Sequence, residues 1–151
     1  MDLDELQERT FAGATAVTRR AYPPERRLSG ERLSGYLDRR AFGVATSARP
    51  DGRPHAAIVS YVRRGTTFWM PTAAGSVRQR NLNRVPWLVL AVTEGERAEH
   101  VVAIVEGPCR AAPKPEVPPD VAATAQEEWV SVWLRLDAER VLSYAAEGSP
   151  G

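Results

Sequence analysis

The residues with the clearest chemical potential lie close together, between Thr72 and Arg78. Hydroxyl groups on Thr72 and Ser76 stand just before the guanidinium of Arg78. Ser76 is a good helix N-cap, and Gln79 three residues later completes the pattern of a capping box. The first turn of a helix offers free backbone N–H groups and the positive end of the helix dipole. Together these donors would bind a phosphate or a carboxylate.

The same stretch also fits a plainer interpretation, an ordinary strand–turn–helix joint with solvated arginines. The chain has 20 Lys and Arg residues, and Lys114 is its only lysine. Arginine near a candidate site is therefore weaker evidence here than in a chain of average composition. Spacing alone leaves both interpretations open.

Composition excludes several classes of protein. The 151 residues suit one domain with a real core, and 20 basic against 19 acidic residues argue against a bulk nucleic-acid or membrane binder. No apolar run is long enough to span a bilayer. A single cysteine, Cys109, and two histidines, His55 and His100, predict neither a disulfide nor a metal site. The N-terminus lacks a basic and apolar leader pattern, so we expect a cytoplasmic protein.

Two helical segments precede the strands. An apolar stripe over residues 2–20 predicts one helix, which with the following prolines forms an N-terminal arm, residues 1–28. This arm is expected to pack on the main domain or on a partner subunit. A second helix begins at Ser29-Gly30 and places Leu33, Tyr36 and Leu37 on its buried face.

From Ala41 onwards the pattern is that of short strands. The pair Asp51-Gly52 predicts a hairpin, and His55–Val62 and Thr66–Met70 continue it as a meander. The helix that begins at Ser76 is called the central helix. After it, the apolar run from Trp87 to Val92 predicts a strand buried on both faces. Three further strands are expected over residues 100–106, 130–136 and 141–144, with a loop and a short helix before the second of them.

Five to seven short strands with few helices predict a mainly β protein, a small and mostly antiparallel β-barrel. The barrel domain would cover residues 29–146, followed by a disordered tail, residues 147–151.

The order of three runs resembles the pyridoxamine 5'-phosphate oxidase-like family, the flavin-binding split barrels. These runs are DGRPHAAIVSYV, TTFWMPTAAGSVRQRNLNRVPWLVLAV and VVAIVEGPCRAA. The resemblance implies a homodimer that binds flavin at the subunit interface, with FMN as the cofactor or, alternatively, the 8-hydroxy-deazaflavin coenzyme.

The resemblance also assigns cofactor contacts residue by residue. The phosphate would lie against the end of one strand and the start of the central helix, and the flavin ring would lie along the strand before them. The cofactor-binding residues implied in this way are Ala57, Ile58, Val59, Ser60, Met70, Pro71, Thr72, Ser76, Val77 and Arg78. Backbone amides over Ile58–Ser60 could serve the ring without any side-chain signature.

Two features depart from the vitamin-forming members of the family. Those enzymes carry an arginine where Ala57 stands and a lysine near Tyr61 or Val62, and their C-terminal substrate segment is not reproduced here. We therefore expect hydride transfer with another small organic substrate, and the catalytic residues stay unknown. The alternatives are a non-catalytic protein that binds or stores flavin or haem, and a cofactor-free dimeric barrel.

Several other residues carry two interpretations each. Trp87, Trp129 and Trp133 are expected in the core or at the dimer interface, and alternatively one of them covers the flavin. His55 is expected to face solvent beside the hairpin. Four arginines either line a groove for the anionic tail of a cofactor or form a solvated face. These are Arg63, Arg64, Arg80 and Arg84.

Overall fold

The computed structural model describes residues 1–149, within which five α-helices flank one sheet. No helix in this range is both long and apolar enough to span a bilayer. The helices are α1 (Leu3–Ala12), α2 (Ala16–Ala21), α3 (Glu31–Arg39), α4 (Val77–Arg84) and α5 (Pro119–Ala122). Single turns of 3₁₀ helix lie at Pro24–Arg26, Arg97–Glu99 and Lys114–Glu116.

The eight strands of the sheet pair in antiparallel fashion throughout. Their order is β2-β1-β5-β6-β7-β4-β3, and β8 pairs with β6 beside β7. The strands are β1 (Phe42–Ala48), β2 (Pro54–Ser60), β3 (Val62–Arg64), β4 (Thr67–Thr72), β5 (Trp87–Glu94), β6 (Val101–Ala112), β7 (Val132–Asp137) and β8 (Arg140–Ala145).

The sheet curls because the two ends of its strand order are joined along the chain. Only Tyr61 separates β2 from β3, and the Tyr61 hydroxyl donates a hydrogen bond to the Leu37 carbonyl at 2.6 Å. The predicted single strand over residues 55–62 is therefore two strands with a bend between them. The result is a mainly β split barrel, which confirms the predicted fold class.

The long strand β6 serves both parts of the sheet. It pairs with β8 over Val101–Glu106 and with β7 over Cys109–Ala112. Gly107 lies at the change of partner, where a Cβ would stand 2.1 Å from the Asp137 carbonyl oxygen, so only glycine fits. The prediction that this strand ends at Gly107 was wrong, because the strand passes the glycine and exchanges its neighbour.

The N-terminal segment also differs from its prediction. The expected helix over residues 2–20 is broken at Gly13, because glycine ends α1 and Thr15 caps α2. Leu3 and Leu6 join the same core cluster as the strands, and the Thr10 hydroxyl accepts a hydrogen bond from the Val141 N–H at 3.1 Å. The segment is thus packed directly against β8.

The strand predicted at Trp87–Val92 is present as β5, but its burial differs from the prediction. Its inward residues Leu88, Leu90 and Val92 are fully buried, but Val89 and Ala91 on the other face are only half-buried. The prediction that this strand is buried on both faces was therefore wrong for the single chain. At the C-terminus, the Gly148 N–H donates to the Ala98 carbonyl at 2.8 Å, and residues 150–151 of the predicted disordered tail lie outside the described residues.

Candidate functional site

The candidate site is built where β4 ends and α4 begins. Thr72 is the last residue of β4 and is fully buried, and a turn through Gly75, at φ +76°, leads to the helix. Ser76 is the N-cap of α4, as predicted. We refer to Thr72 and Ser76–Arg78 as the anion site.

Hydrogen bonds within the turn leave one hydroxyl proton free. Ser76 Oγ accepts from the Thr72 hydroxyl at 2.9 Å and from the Gln79 N–H at 3.3 Å. Both contacts use oxygen lone pairs, so the proton of Ser76 is left to donate to a ligand. Thr72 therefore positions Ser76 and has no exposed surface of its own.

The capping box differs in one detail from the prediction. The Gln79 side chain does reach back, but its Oε1 accepts from the Gly75 N–H at 2.6 Å rather than from the N-cap N–H. The Ala74 N–H is also used, by Ser131 Oγ at 2.8 Å. The N–H groups of Val77 and Arg78 begin the helix and have no intrahelical acceptor. They are the backbone donors that an anion would use.

Arg78 is the charged group of the anion site. Its Nε is buried and has no hydrogen-bond partner among residues 1–149. Desolvation by burial lowers the pKa of its guanidinium, and no neighbouring charge offsets that effect. A partly buried cation without an anion costs free energy, which an incoming phosphate or carboxylate would recover.

The helix that carries these donors is held firmly on the barrel. Asn81 is buried, and its side-chain amide donates to Ser47 Oγ on β1 at 3.1 Å. Leu82, one turn beyond Arg78, is buried in the main core cluster. These two contacts fix the orientation of α4, so Arg78 is placed by packing rather than by a flexible loop.

The segments assigned to the flavin ring belong to β2 and β4, which contact each other across the curled sheet. Val59 and Met70 direct their side chains into the core and can offer a ligand only backbone atoms. Pro71 is also buried, whereas Ala57 and Ser60 are half-buried and Ile58 is 70% exposed. Because β2 ends the strand order, its outer edge has no strand partner among the described residues.

The four arginines grouped by the sequence analysis separate into two pairs. Arg63 makes a two-pronged contact with Asp38, at 2.8 and 2.6 Å, and Arg64 contacts Asp120 at 2.9 and 2.6 Å. Arg80 and Arg84 lie on α4 and take part in no ion pair within residues 1–149. The interpretation in which all four arginines line one groove was therefore wrong.

Comparison with known proteins identifies the family. The sequence matches the pyridoxamine 5'-phosphate oxidase family over residues 30–146. The chain belongs to this family. No curated protein sequence matches it significantly.

Solved structures share the split barrel of this oxidase family at low sequence identity. A conserved hypothetical protein from Mycobacterium tuberculosis has a TM-score of 0.71 at 19% identity, with 82% of this chain and 89% of that chain covered. An FAD-binding protein from Mesorhizobium loti has a TM-score of 0.64 at 19% identity, covering 78% and 93%. A haem storage protein from Vibrio cholerae has a TM-score of 0.64 at 15% identity, covering 81% and 99%. Identities this low show a common fold.

Sequence reasoning on this member of the oxidase family missed one group beside α4. His55 was expected to face solvent, but it is half-buried and its Nδ1 is buried without a hydrogen-bond partner in the described chain. The alternation of side chains along β2 could have indicated this burial, because His55 lies on the same face of the strand as the buried Val59. His55 and Arg49 line a cavity of about 500 Å³ against α4.

The remaining reactive and aromatic candidates have structural explanations. Trp133 is buried in a second apolar cluster, and Trp87 and Trp129 are partly exposed. Cys109 is fully buried, and desolvation raises the pKa of its thiol to about 12, so it is a poor nucleophile. Within residues 1–149, no three His, Cys, Asp or Glu side chains converge as metal ligands would.

Proposed function

We propose that this protein binds a flavin, with FMN as the reference cofactor, and uses it for hydride transfer with a small organic substrate. The deazaflavin coenzyme is the alternative cofactor. The observation that carries the proposal is the half-buried Arg78 guanidinium, which belongs to no ion pair within residues 1–149 and lies at the N-terminal end of α4. A flavin phosphate would supply the negative charge and the acceptor oxygens that these donors need.

The residues of the anion site match a phosphate in number and kind of donor. Ser76 has a free hydroxyl proton, Val77 and Arg78 have free N–H groups, and the Arg78 guanidinium supplies the charge. Thr72 acts indirectly, since its own hydroxyl is used to orient Ser76. Family membership and the FAD-binding relative from Mesorhizobium loti support a flavin as the phosphate-bearing ligand.

The unpaired edge of β2 would hold the ring. A bound flavin supplies hydride chemistry itself, so the protein needs only to orient it and to provide hydrogen bonds to its polar atoms. Backbone groups over Ile58–Ser60 are the donors and acceptors available there, with Ala57 lining the same strand. The absence of an arginine at position 57 makes the pyridoxamine phosphate reaction a poor fit.

We further propose a homodimer, because the outer face of the sheet is apolar where antiparallel sheets are normally polar. Paired residues on four neighbouring strands form one apolar row on this face, and a second copy of the chain would cover it. The row consists of Ile58, Val44, Ala91 and Ile104. A reducing cytoplasm, which suits the free thiol of Cys109, is the proposed location.

A second candidate is a non-catalytic flavin carrier. It is favoured by the side chains of the proposed ring segment, where Ala57, Ile58 and Val59 are apolar and none can exchange a proton. Enzyme and carrier share the same binding site, so they differ in turnover rather than in affinity. Substrate-dependent loss of the flavin absorbance with repeated cycles would distinguish the enzyme.

The spectrum of the protein as isolated, with mass spectrometry of the released ligand, tests the proposed function. A yellow protein that releases a flavin is the expected result. A haem spectrum would instead support a storage role like that of the Vibrio cholerae relative. A colourless protein that takes up neither FMN nor the deazaflavin on titration would contradict the proposal and leave the cofactor-free dimer.

A further inference from the structure

A second cavity lies between α4, the end of β6 and the segment that joins β6 to β7, residues 113–131. Its volume is about 530 Å³, which falls within the size range of small-molecule sites. None of the residues assigned to the flavin lines it, and α4 contributes only Gln79 to its wall. We call this space the connector cavity, and the residues that matter are Gln79, Lys114, Ala125, Ser131 and Trp133.

Most of the wall of the connector cavity is apolar. Six lining residues belong to the second apolar cluster, and three of them are only half-buried because the cavity leaves them open to solvent. The apolar body of a ligand would cover this surface and restore the missing packing contacts. The six residues are Ala112, Val117, Ala122, Ala125, Val130 and Trp133.

Two polar side chains in the wall have donors left for a ligand. Ser131 Oγ accepts a hydrogen bond from the Ala74 N–H at 2.8 Å, and its own proton is donated to no acceptor within residues 1–149. Gln79 Oε1 accepts from the Gly75 N–H at 2.6 Å, so the other end of its amide carries two N–H donors. Both side chains therefore favour a ligand with acceptor oxygens.

Lys114 adds a positive charge to the wall without a counter-charge. It takes part in no ion pair within residues 1–149, and none of the described residues that line the cavity is Asp or Glu. The nearest acid along the chain, Glu116, is held instead by Arg110 and Arg135, at 3.1 and 2.7 Å. A carboxylate is therefore the acceptor that complements both the donors and the charge.

We propose that the connector cavity binds a small aromatic carboxylate, at a site separate from that of the flavin. The ring system lies against Trp133 and Ala125, since aromatic rings pack well on an indole. The carboxylate accepts hydrogen bonds from Ser131 and Gln79 and pairs with the ammonium group of Lys114. The inference does not rest on the proposed function, because no residue of the anion site takes part in it.

The test is calorimetric titration of the full chain with 2-naphthoate and with 2-naphthamide, which keeps the rings and the carbonyl oxygen but lacks the charge. Lys114→Gln removes the cation, and Arg20→Gln is its control at an exposed position on α2. Ala125→Trp fills the cavity, and Ala123→Trp is its control at an exposed position outside the lining. A thermal melt of each variant checks folding.

The expected result is saturable binding of 2-naphthoate, at least about tenfold tighter than that of 2-naphthamide. K114Q should remove this preference and R20Q should keep it. A125W should abolish binding of both probes, whereas A123W should leave their affinities within about twofold. Addition of excess FMN should also leave the affinity for 2-naphthoate within about twofold, because the two sites share no residue.

Absence of saturable binding, equal affinities for the two probes, binding that survives in A125W, or displacement of 2-naphthoate by FMN would each overturn the inference. None of these results would change the proposed function. Failure of every flavin to bind would instead remove the proposed function and leave the connector cavity as a ligand site.

Discussion

Two arginine-rich regions of this barrel look alike in sequence and differ in surroundings. On β3, Arg63 and Arg64 are each matched by a carboxylate, from Asp38 and Asp120. On α4, Arg78 and Arg80 belong to no ion pair among the described residues, and Arg78 has a buried nitrogen without a partner.

The difference shows how to recognise a binding arginine in an arginine-rich chain. A guanidinium already paired with a carboxylate gains little from a further anion, because its charge and geometry are satisfied. An unpaired and partly desolvated guanidinium gains much more. The neighbours of an arginine, rather than its abundance or spacing, therefore separate the anion site from the solvated face.

The largest expected effect comes from Arg78→Ala. Loss of a charge-assisted contact should weaken FMN binding by about tenfold or more. Fluorescence titration of the flavin measures it. Because Arg78 makes no ion pair, the melting temperature should not fall, and unchanged FMN affinity in R78A would count against the anion site.

Ser76→Ala should have the next largest effect, on both stability and binding. Removing a serine N-cap costs about 1 kcal/mol of stability, and it also removes one donor to the phosphate. Thr15→Ala is the matched control, since Thr15 caps α2 in the same way and accepts from the Thr18 N–H. Both variants should melt earlier in thermal unfolding, but only S76A should bind FMN more weakly.

If T15A weakened FMN binding as much as S76A, the loss would reflect general destabilisation. The role assigned to the Ser76 hydroxyl would then be withdrawn.

Arg63→Ala tests the other region and should change stability alone. The Arg63 side chain is 13% exposed and Asp38 is 50% exposed, so the loss should be about 0.2–1 kcal/mol after solvent screening. Chemical denaturation measures it, and a double-mutant cycle with Asp38→Ala isolates the pair. An FMN affinity that fell in R63A would break the distinction between the two regions.

The smallest effect is expected for Arg64→Ala. Arg64 and Asp120 are both well exposed, and such pairs contribute little because water and salt screen them. We expect no resolvable change in melting temperature or in FMN affinity. A clear loss of melting temperature would mean that the Arg64–Asp120 pair on β3 is more than a screened surface contact, and a clear loss of FMN affinity would mean that β3 contributes to binding.

Much of the fold followed from local patterns. The Asp51-Gly52 turn and the N-cap at Ser76 both depend on neighbouring residues, and these predictions agree with the structure. The change of partner at Gly107 depends on Asp137, thirty residues away in sequence. A local pattern contains no information about such a contact, which is why the predicted end of this strand was wrong.

The site shows the same division. The hydroxyls and helix start of the anion site were visible as a motif, whereas the pairing of Arg63 with Asp38 is set by the packing of α3 against β3. The grouping of Arg63 with Arg80 failed for that reason. His55 could have been placed correctly, because its alternation with Val59 already indicated the inner face of β2.

The most direct test of the central claim is the ratio of the affinities of FMN and riboflavin for the wild-type protein. The two ligands differ only by the phosphate, so the ratio isolates what the anion site contributes. We predict that FMN binds at least about tenfold more tightly than riboflavin, with the advantage shrinking as salt is added. Equal affinities for FMN and riboflavin would contradict it.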